Sequence, residues 1–203
     1  IDLRHIHDIY EQDSILWMTS VKVGVVKARI RWNGDTPTLT KIDQLTLDNG
    51  DLASNHFFSI YPSGKYLYVT NRGKGVVRID TQTSDVKVIF FDSDILNEIY
   101  AIAHDGDDHL LVGTSFGLVR YNIKDENYNV RNKINGLPNN IIHCILPESE
   151  KIFWLSTNQG LIKYNTGNNM FRTFSYKTGL SVFEFSDGAS FKDKQTETLF
   201  FGG

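Results

Sequence analysis

The sequence predicts an all-β protein built from four-stranded antiparallel sheets that repeat as the blades of a β-propeller, and three observations predict it. The chain restates itself: Phe153 to Asn165 (FWLSTNQGLIKYN) repeats Leu110 to Asn122 (LLVGTSFGLVRYN), and Leu67 to Asp80 (LYVTNRGKGVVRID) is a third copy with one residue inserted. The glycines that open the second half of each copy, Gly24, Gly75, Gly117 and Gly160, fall 51, 42 and 43 residues apart, which is blade spacing. Helical repeats of similar length need a 3.6-residue apolar period, which is missing; each copy instead holds four short β-branched and aromatic runs between turn residues.

Taken in order, the period sets approximate blades at 1–45, 46–92, 93–134, 135–176 and 177–203, the last unfinished. In the first, His5-Ile6-His7-Asp8 reads as a first strand with both imidazoles on one face, Trp17 lies in the second strand, and Gly24 opens the third. In the second, Tyr61-Pro62-Ser63-Gly64-Lys65 is the turn ahead of the strand from Leu67. In the third, His104-Asp105-Gly106-Asp107-Asp108-His109 takes that turn position. The fourth is the clearest, with strands at Ile141 to Leu146, Phe153 to Thr157, Leu161 to Tyr164 and Met170 to Phe174. Pro147 to Glu150, Asn158-Gln159-Gly160 and Thr166 to Asn169 supply the turns between them. One such sheet cannot bury both faces by itself. The 3 Trp, 9 Tyr and 13 Phe supply the area for packing between sheets, each worth about 1.5–3 kcal/mol when buried. Trp17 and Trp154 occupy the same second-strand position and are read as packing residues between blades. The chain thus holds four to five blades and reads as part of a larger propeller, with exposed edge strands that favour self-association.

Composition excludes little. A net charge of −3 with 22% charged residues describes an ordinary surface, so no nucleic-acid contact is expected. The single cysteine, Cys144, forbids an intrachain disulfide and reads, with its neighbour His143, as a first-strand packing position. No apolar run is long enough to span a membrane, and any targeting signal lies outside the given residues.

In an up-and-down sheet, the loops joining second to third strands emerge at the same end as those joining one blade to the next. That end collects Ser20-Val21-Lys22, Asn71-Arg72-Gly73-Lys74, Thr114-Ser115-Phe116 and Asn158-Gln159, together with Asn55-His56, Asn97-Glu98 and Leu137-Pro138-Asn139-Asn140. Loops on a rigid scaffold are where recognition concentrates. The candidate ligand-binding residues are therefore His56, Asn71, Arg72, Lys74, Ser115, Phe116, Asn140, Asn158 and Gln159. Amides and hydroxyls suit a hydroxylated ligand, Arg72 a carboxylate or sulfate, and Phe116 the face of a sugar ring. The same residue types also satisfy their own turns. The 104–109 cluster has cation-binding composition, but the matching turns of other copies share none of its ligands, so a solvated hairpin is expected, with no metal and no cofactor. No nucleophile elbow, phosphate loop or metalloprotease helix occurs, and the carboxylates at the candidate end reduce to Glu98 and Glu184, so no catalytic residue is assigned.

Gly136-Leu137-Pro138-Asn139-Asn140 followed by Trp154 to Asn165 resembles the two-component regulator propeller repeat, found in the periplasmic sensor region of hybrid two-component histidine kinases of Bacteroidetes. The copy around Gly75 departs from it by lacking the tryptophan, and the copy around Gly24 by lacking the Leu-Pro-Asn-Asn lead-in. Gly179-Leu180, Glu184-Phe185, Gly188-Ala189 and Phe200-Phe201-Gly202-Gly203 look like the last blade of such sensors. The resemblance implies a seven-bladed propeller within a receptor that continues into an immunoglobulin-like domain, a membrane span, a kinase, a receiver and a DNA-binding domain. It implies a periplasmic segment that recognises an oligosaccharide, signals as a homodimer through the rest of its own polypeptide, and is not itself an enzyme. The alternatives are a polysaccharide lyase or hydrolase of propeller fold, or a propeller used only for protein interaction; sequence beyond Gly203 discriminates them.

Overall fold

In a computed structural model of the chain, residues 5–49, 52, 54–106, 108–182 and 184–203 are described. The chain divides into two compact units, residues 1–91 and 92–203. Among the described residues, all regular structure is β apart from three short 3-10 turns at Asp94–Asn97, Lys133–Asn135 and Tyr176–Thr178.

The first unit holds two antiparallel sheets, each ordered as its strands follow in sequence. One comprises β1 (Ile6–Gln12), β2 (Ile15–Ser20), β3 (Gly24–Asn33) and β4 (Thr36–Leu45); the other β5 (Phe57–Ser63), β6 (Tyr66–Asn71), β7 (Val76–Asp80) and β8 (Val86–Ile89). The strands β1 and β5 lie side by side. Alternation along β2 sends Trp17 to one face and Leu16 and Met18 to the other. Trp17, Val25 and Leu45 meet Phe57, Leu67, Val69, Val77 and Ile79 of the second sheet, while Leu16 and Met18 join Val26, Ala28 and Ile30 in a separate apolar cluster. Lys27 lies over the Trp17 ring at 4.7 Å and donates to Thr81 O and Ser84 Oγ of the second sheet, so a polar clamp borders the apolar contact. Contrary to expectation, His5 precedes β1 with φ +64° and does not share a strand face with His7.

The second unit repeats the plan. Its sheets comprise β9 (Ile99–Asp105), β10 (His109–Thr114), β11 (Gly117–Asn122) and β12 (Tyr128–Arg131), then β13 (Ile142–Ser149), β14 (Ile152–Thr157), β15 (Gly160–Asn165) and β16 (Met170–Phe174). A two-stranded pair, β17 (Ser190–Lys192) and β18 (Leu199–Phe201), follows. First strands are again neighbours, β9 with β13 and β13 with β17. Trp17 is 2% exposed, whereas Trp154 is partly buried against its own sheet: Phe174 at 5.0 Å, Lys163 over the ring at 5.2 Å, and Glu148, which accepts from its Nε1 at 2.5 Å.

The repeating glycine has a steric cause. At Gly24, Gly117 and Gly160 the backbone has φ +79°, +140° and +105°, and an added Cβ would stand 2.1, 2.2 and 2.1 Å from the carbonyl oxygens of Leu45, Arg131 and Phe174. The end of each fourth strand crosses the start of the third there, leaving room for hydrogen alone. The 104–109 turn differs from the solvated hairpin expected of it. Asp105 has a fully buried side chain that accepts from Arg120 Nε (2.6 Å), Lys151 Nζ (3.4 Å) and Thr166 Oγ1 (2.7 Å), tying the two four-stranded sheets of this unit together. Asp107 lies outside the described residues, and no metal-holding cluster occurs among those described.

Candidate functional site

Each second strand ends on a small polar residue: Ser20, Asn71, Thr114 and Thr157. These pair with Ile6, Phe57, Ile99 and Ile142 of the first strands, and directly after each pair the register slips. The residue that follows each pair into the slip is His7, Phe58, Tyr100 or His143, a ring in all four copies, with Ser59 also inside the slip of the second sheet. A bulge re-aims a side chain, and here it sets four rings beside the loops between second and third strands.

In the first unit His7 meets Phe58 edge-on at 4.9 Å, and the Arg72 guanidinium lies over the Phe58 ring, 4.6 Å from its centroid. Asp8 beside them is spent on structure, its two oxygens accepting from the Ile9 and Ile60 backbone N–H groups at 2.8 Å each. Burial, the largest influence, holds its carboxyl above the ordinary value against those two hydrogen bonds.

In the second unit the centroids of Tyr100 and His143 are 5.9 Å apart, and Tyr100 donates to Glu98 Oε2 at 3.3 Å. His143 Nδ1 stands 2.5 Å from Asp187 Oδ1, and its Nε2 contacts Asn158 Oδ1. With Nδ1–H donating to the Asp187 carboxylate, Nε2 either donates to Asn158 Oδ1 or, with the Asn158 amide turned, accepts from its Nδ2. Of the candidate ligand-binding residues named from sequence, Asn158 touches this group, and Glu98, named as a carboxylate of the same end, belongs to it through Tyr100. The sequence reading treated His143 as packing and did not name Asp187; the recurrence of a ring at one aligned position was the signal available.

The remaining named residues fall into two kinds. Arg72, Lys74, His56 and Gln159 are exposed, and Phe116 is half-exposed. Ser115 and Asn140 serve their own connections: Ser115 Oγ donates to Ile95 O at 3.0 Å, and Asn140 Oδ1 accepts from Lys133 N at 2.7 Å. The Asn140 contact repeats at Asn55, which accepts from Leu47 N at the same distance. Asn71 stands apart. Ser20, Thr114 and Thr157 each accept from a backbone N–H of the loop that follows, whereas Asn71 is 1% exposed and neither atom of its amide has a hydrogen-bond partner.

No family model matches the chain. A curated relative, histidine kinase P4 of Formosa agariphila, is 28% identical over 202 residues, which is 95% of this chain and 14% of that protein. Among solved structures, the extracellular domain of the hybrid two-component system BT3049 of B. thetaiotaomicron superposes with TM-score 0.80 at 23% identity, covering 97% of this chain and 26% of its own. The WD40 repeats of RRP9 superpose with TM-score 0.66 at 14% identity over 84% of this chain and 51% of that one, a likeness of propeller fold alone. The chain therefore shares its fold with the extracellular domains of two-component systems, and it spans 14% of the histidine kinase and 26% of the BT3049 domain. No helix among the described residues is long and apolar enough to cross a membrane.

Proposed function

We propose that this chain is an extracytoplasmic, periplasmic ligand-sensing segment of a hybrid two-component receptor, and that its ligand is an oligosaccharide held at the bulge-and-loop end of the blades. The observation that carries the reading is the ring at each first-strand bulge, flanked by amide and hydroxyl side chains. Ring faces pack against the C–H faces of sugars while amides and carboxylates take the hydroxyls. The similarity to receptor ectodomains supports the same reading, and a kinase elsewhere in the polypeptide, working as a homodimer, would be the recipient of the signal. Ligand acts on such a receptor only by binding two of its arrangements unequally, and 1–3 kcal/mol of difference suffices to change output several-fold.

Calorimetric titration of the natural polypeptide against a panel of oligosaccharides tests this. At least one sugar is expected to bind, and Phe58→Ala or Tyr100→Ala to weaken it about tenfold without lowering the melting temperature. A panel without any binder, or ring variants that bind normally, argues against the reading. A lyase or hydrolase is the second reading, favoured by the ionisable group of Glu98, Tyr100, His143 and Asp187; release of new sugar ends on incubation with polysaccharide, abolished by His143→Ala, would establish it in place of the first.

A further inference from the structure

We infer that the long hairpin of β3 and β4 is a docking arm for a second copy of this chain; this deepens the homodimer of the reading above and is independent of the ligand. The third strands β11 and β15 run six residues from the repeating glycine, and β7 ends at Asp80, whereas β3 runs ten residues, from Gly24 to Asn33. The four extra residues add roughly 13 Å at about 3.3 Å each. Because β2 begins at Ile15, opposite Arg29, the residues Arg31, Trp32 and Asn33 pair with β4 alone. A free two-stranded ribbon is marginal in water, yet this one is specified locally. Asn33 pairs with Thr36 and leaves Gly34-Asp35 as a two-residue loop, with Gly34 at the positive φ, +59°, that such a turn requires.

The two faces of the arm carry the side chains that dominate protein contacts. Trp32 continues the row of Ala28 and Ile30, but where those are buried it is 64% exposed, with Pro37 across the ribbon. Arg29 and Arg31 line the opposite face, both exposed, and their cross-strand neighbours are Thr40 and Thr38. Pro37 has no N–H to offer an added strand, so the arm is suited to contact through side chains and not through edge pairing. Charge identifies the occupant. Residues 1–91 hold eleven basic and ten acidic side chains, residues 92–203 ten and fourteen. Turns between first and second strands, and between third and fourth, leave each sheet at the end opposite the candidate ligand site, and the arm is one of them. In the second unit these turns present Asp125 and Glu150, both exposed, while the adjacent Lys124 and Lys151 are drawn to Asp108 at 2.8 Å and Asp105 at 3.4 Å. A basic arm and acidic turns on one chain complement each other between two copies. Made twice, arm to turns and turns to arm, the contact is the reciprocal pattern of a closed two-fold dimer, and it leaves the loop end of the blades clear for ligand.

The test is sedimentation velocity of the natural polypeptide over a concentration series. A dimer is expected, weakened by salt, and Trp32→Ala should raise its dissociation constant at least tenfold with an unchanged melting temperature. Two charge-reversed variants, Arg29→Glu with Arg31→Glu and Asp125→Lys with Glu150→Lys, should each associate at least tenfold more weakly when alone. Mixed in equal amounts they should recover a dimer, because one arm then meets reversed turns and the other meets natural ones. A dimer indifferent to the arm variants, or a mixture no tighter than its components, overturns the inference and leaves the homodimer of the proposed receptor to another surface. A monomer at every concentration overturns it and counts against that homodimer as well. Oligosaccharide binding by the arm variants is expected to equal that of the unmodified chain, so the ligand reading stands or falls by its own titration.

Discussion

Asn71 and Asp105 illustrate opposite uses of a buried polar side chain. Ser20, like Asn71, ends its strand four positions ahead of the repeating glycine, and its hydroxyl accepts from Lys22 N and Val23 N at 3.1 and 3.3 Å. Asn71→Ser should therefore close the loop, remove two buried unsatisfied atoms and stabilise the protein by about 1 kcal/mol, read as a higher denaturant midpoint at constant slope. A lower midpoint would mean that the amide has a structural role of its own. Asp105 is the reverse case, fully buried and accepting from three side chains, two of them cationic. Asp105→Ala should cost about 2–3 kcal/mol, toward the low end for breaking a buried ion pair, because the Arg120 and Lys151 side chains keep 34% and 49% of their exposure and can be solvated once it is gone. Sequence disclosed neither role. Asn71 read as a loop amide and Asp105 as one acid in a solvated turn, since burial depends on which neighbouring sheet covers the residue.

At the scale of elements, the repeat has two steric signatures. One is the glycine at the start of the third strand, and Gly160→Ala should destabilise by about 3 kcal/mol or more, because it combines φ +105° with a Cβ 2.1 Å from Phe174 O. Thermal unfolding would show this as a lowered transition, and a neutral result would show that the β15 and β16 ends separate at little cost. The other signature is the connection between blades. Asn135 Oδ1 accepts from Asn132 N and its Nδ2 donates to Val130 O, while Asn49 Oδ1 accepts from Thr46 N and its Nδ2 donates to Gln44 O. Leu52 and Leu137 are buried just beyond, and Asn55 and Asn140 accept from the equivalent backbone N–H groups of Leu47 and Lys133. Thus the lead-in to the second blade follows the pattern of the Gly136-Leu137-Pro138-Asn139-Asn140 lead-in despite its different sequence. The glycine was legible because it is invariant across the copies and turn chemistry is local; the connection was not, because the extra residue between Asn49 and Asn55 hides the correspondence until hydrogen bonds are traced.

For the molecule as a whole, acid should unfold the protein through its hairpin carboxylates. The Lys65 ammonium, followed by the Gln82 backbone N–H, holds Asp80 at about 2, down from 3.8. Burial pushes Asp105 up, but hydrogen bonds from Thr166 and Arg120 with the charges of Arg120 and Lys151 outweigh it and leave that carboxyl below its ordinary value. Both contributions are complete above the unfolded value near 3.8; that of Asp80 is lost as pH falls toward 2 and that of Asp105 as pH falls through its own lowered value, while Asp8, raised by burial, works in the opposite direction and offsets part of the loss. Circular dichroism is expected to show stability falling between pH 4 and 2, and Asp105→Ala to flatten that fall; an unchanged profile in the variant would remove Asp105 from the account. The sequence by itself determined the blade repeat and the four strands of each sheet, because alternation and turn residues act within a few positions of themselves. Only the tertiary structure decided where each first strand slips, and so which ring each blade presents, because register is set jointly by two strands and the sheet packed against them and is written in neither strand alone.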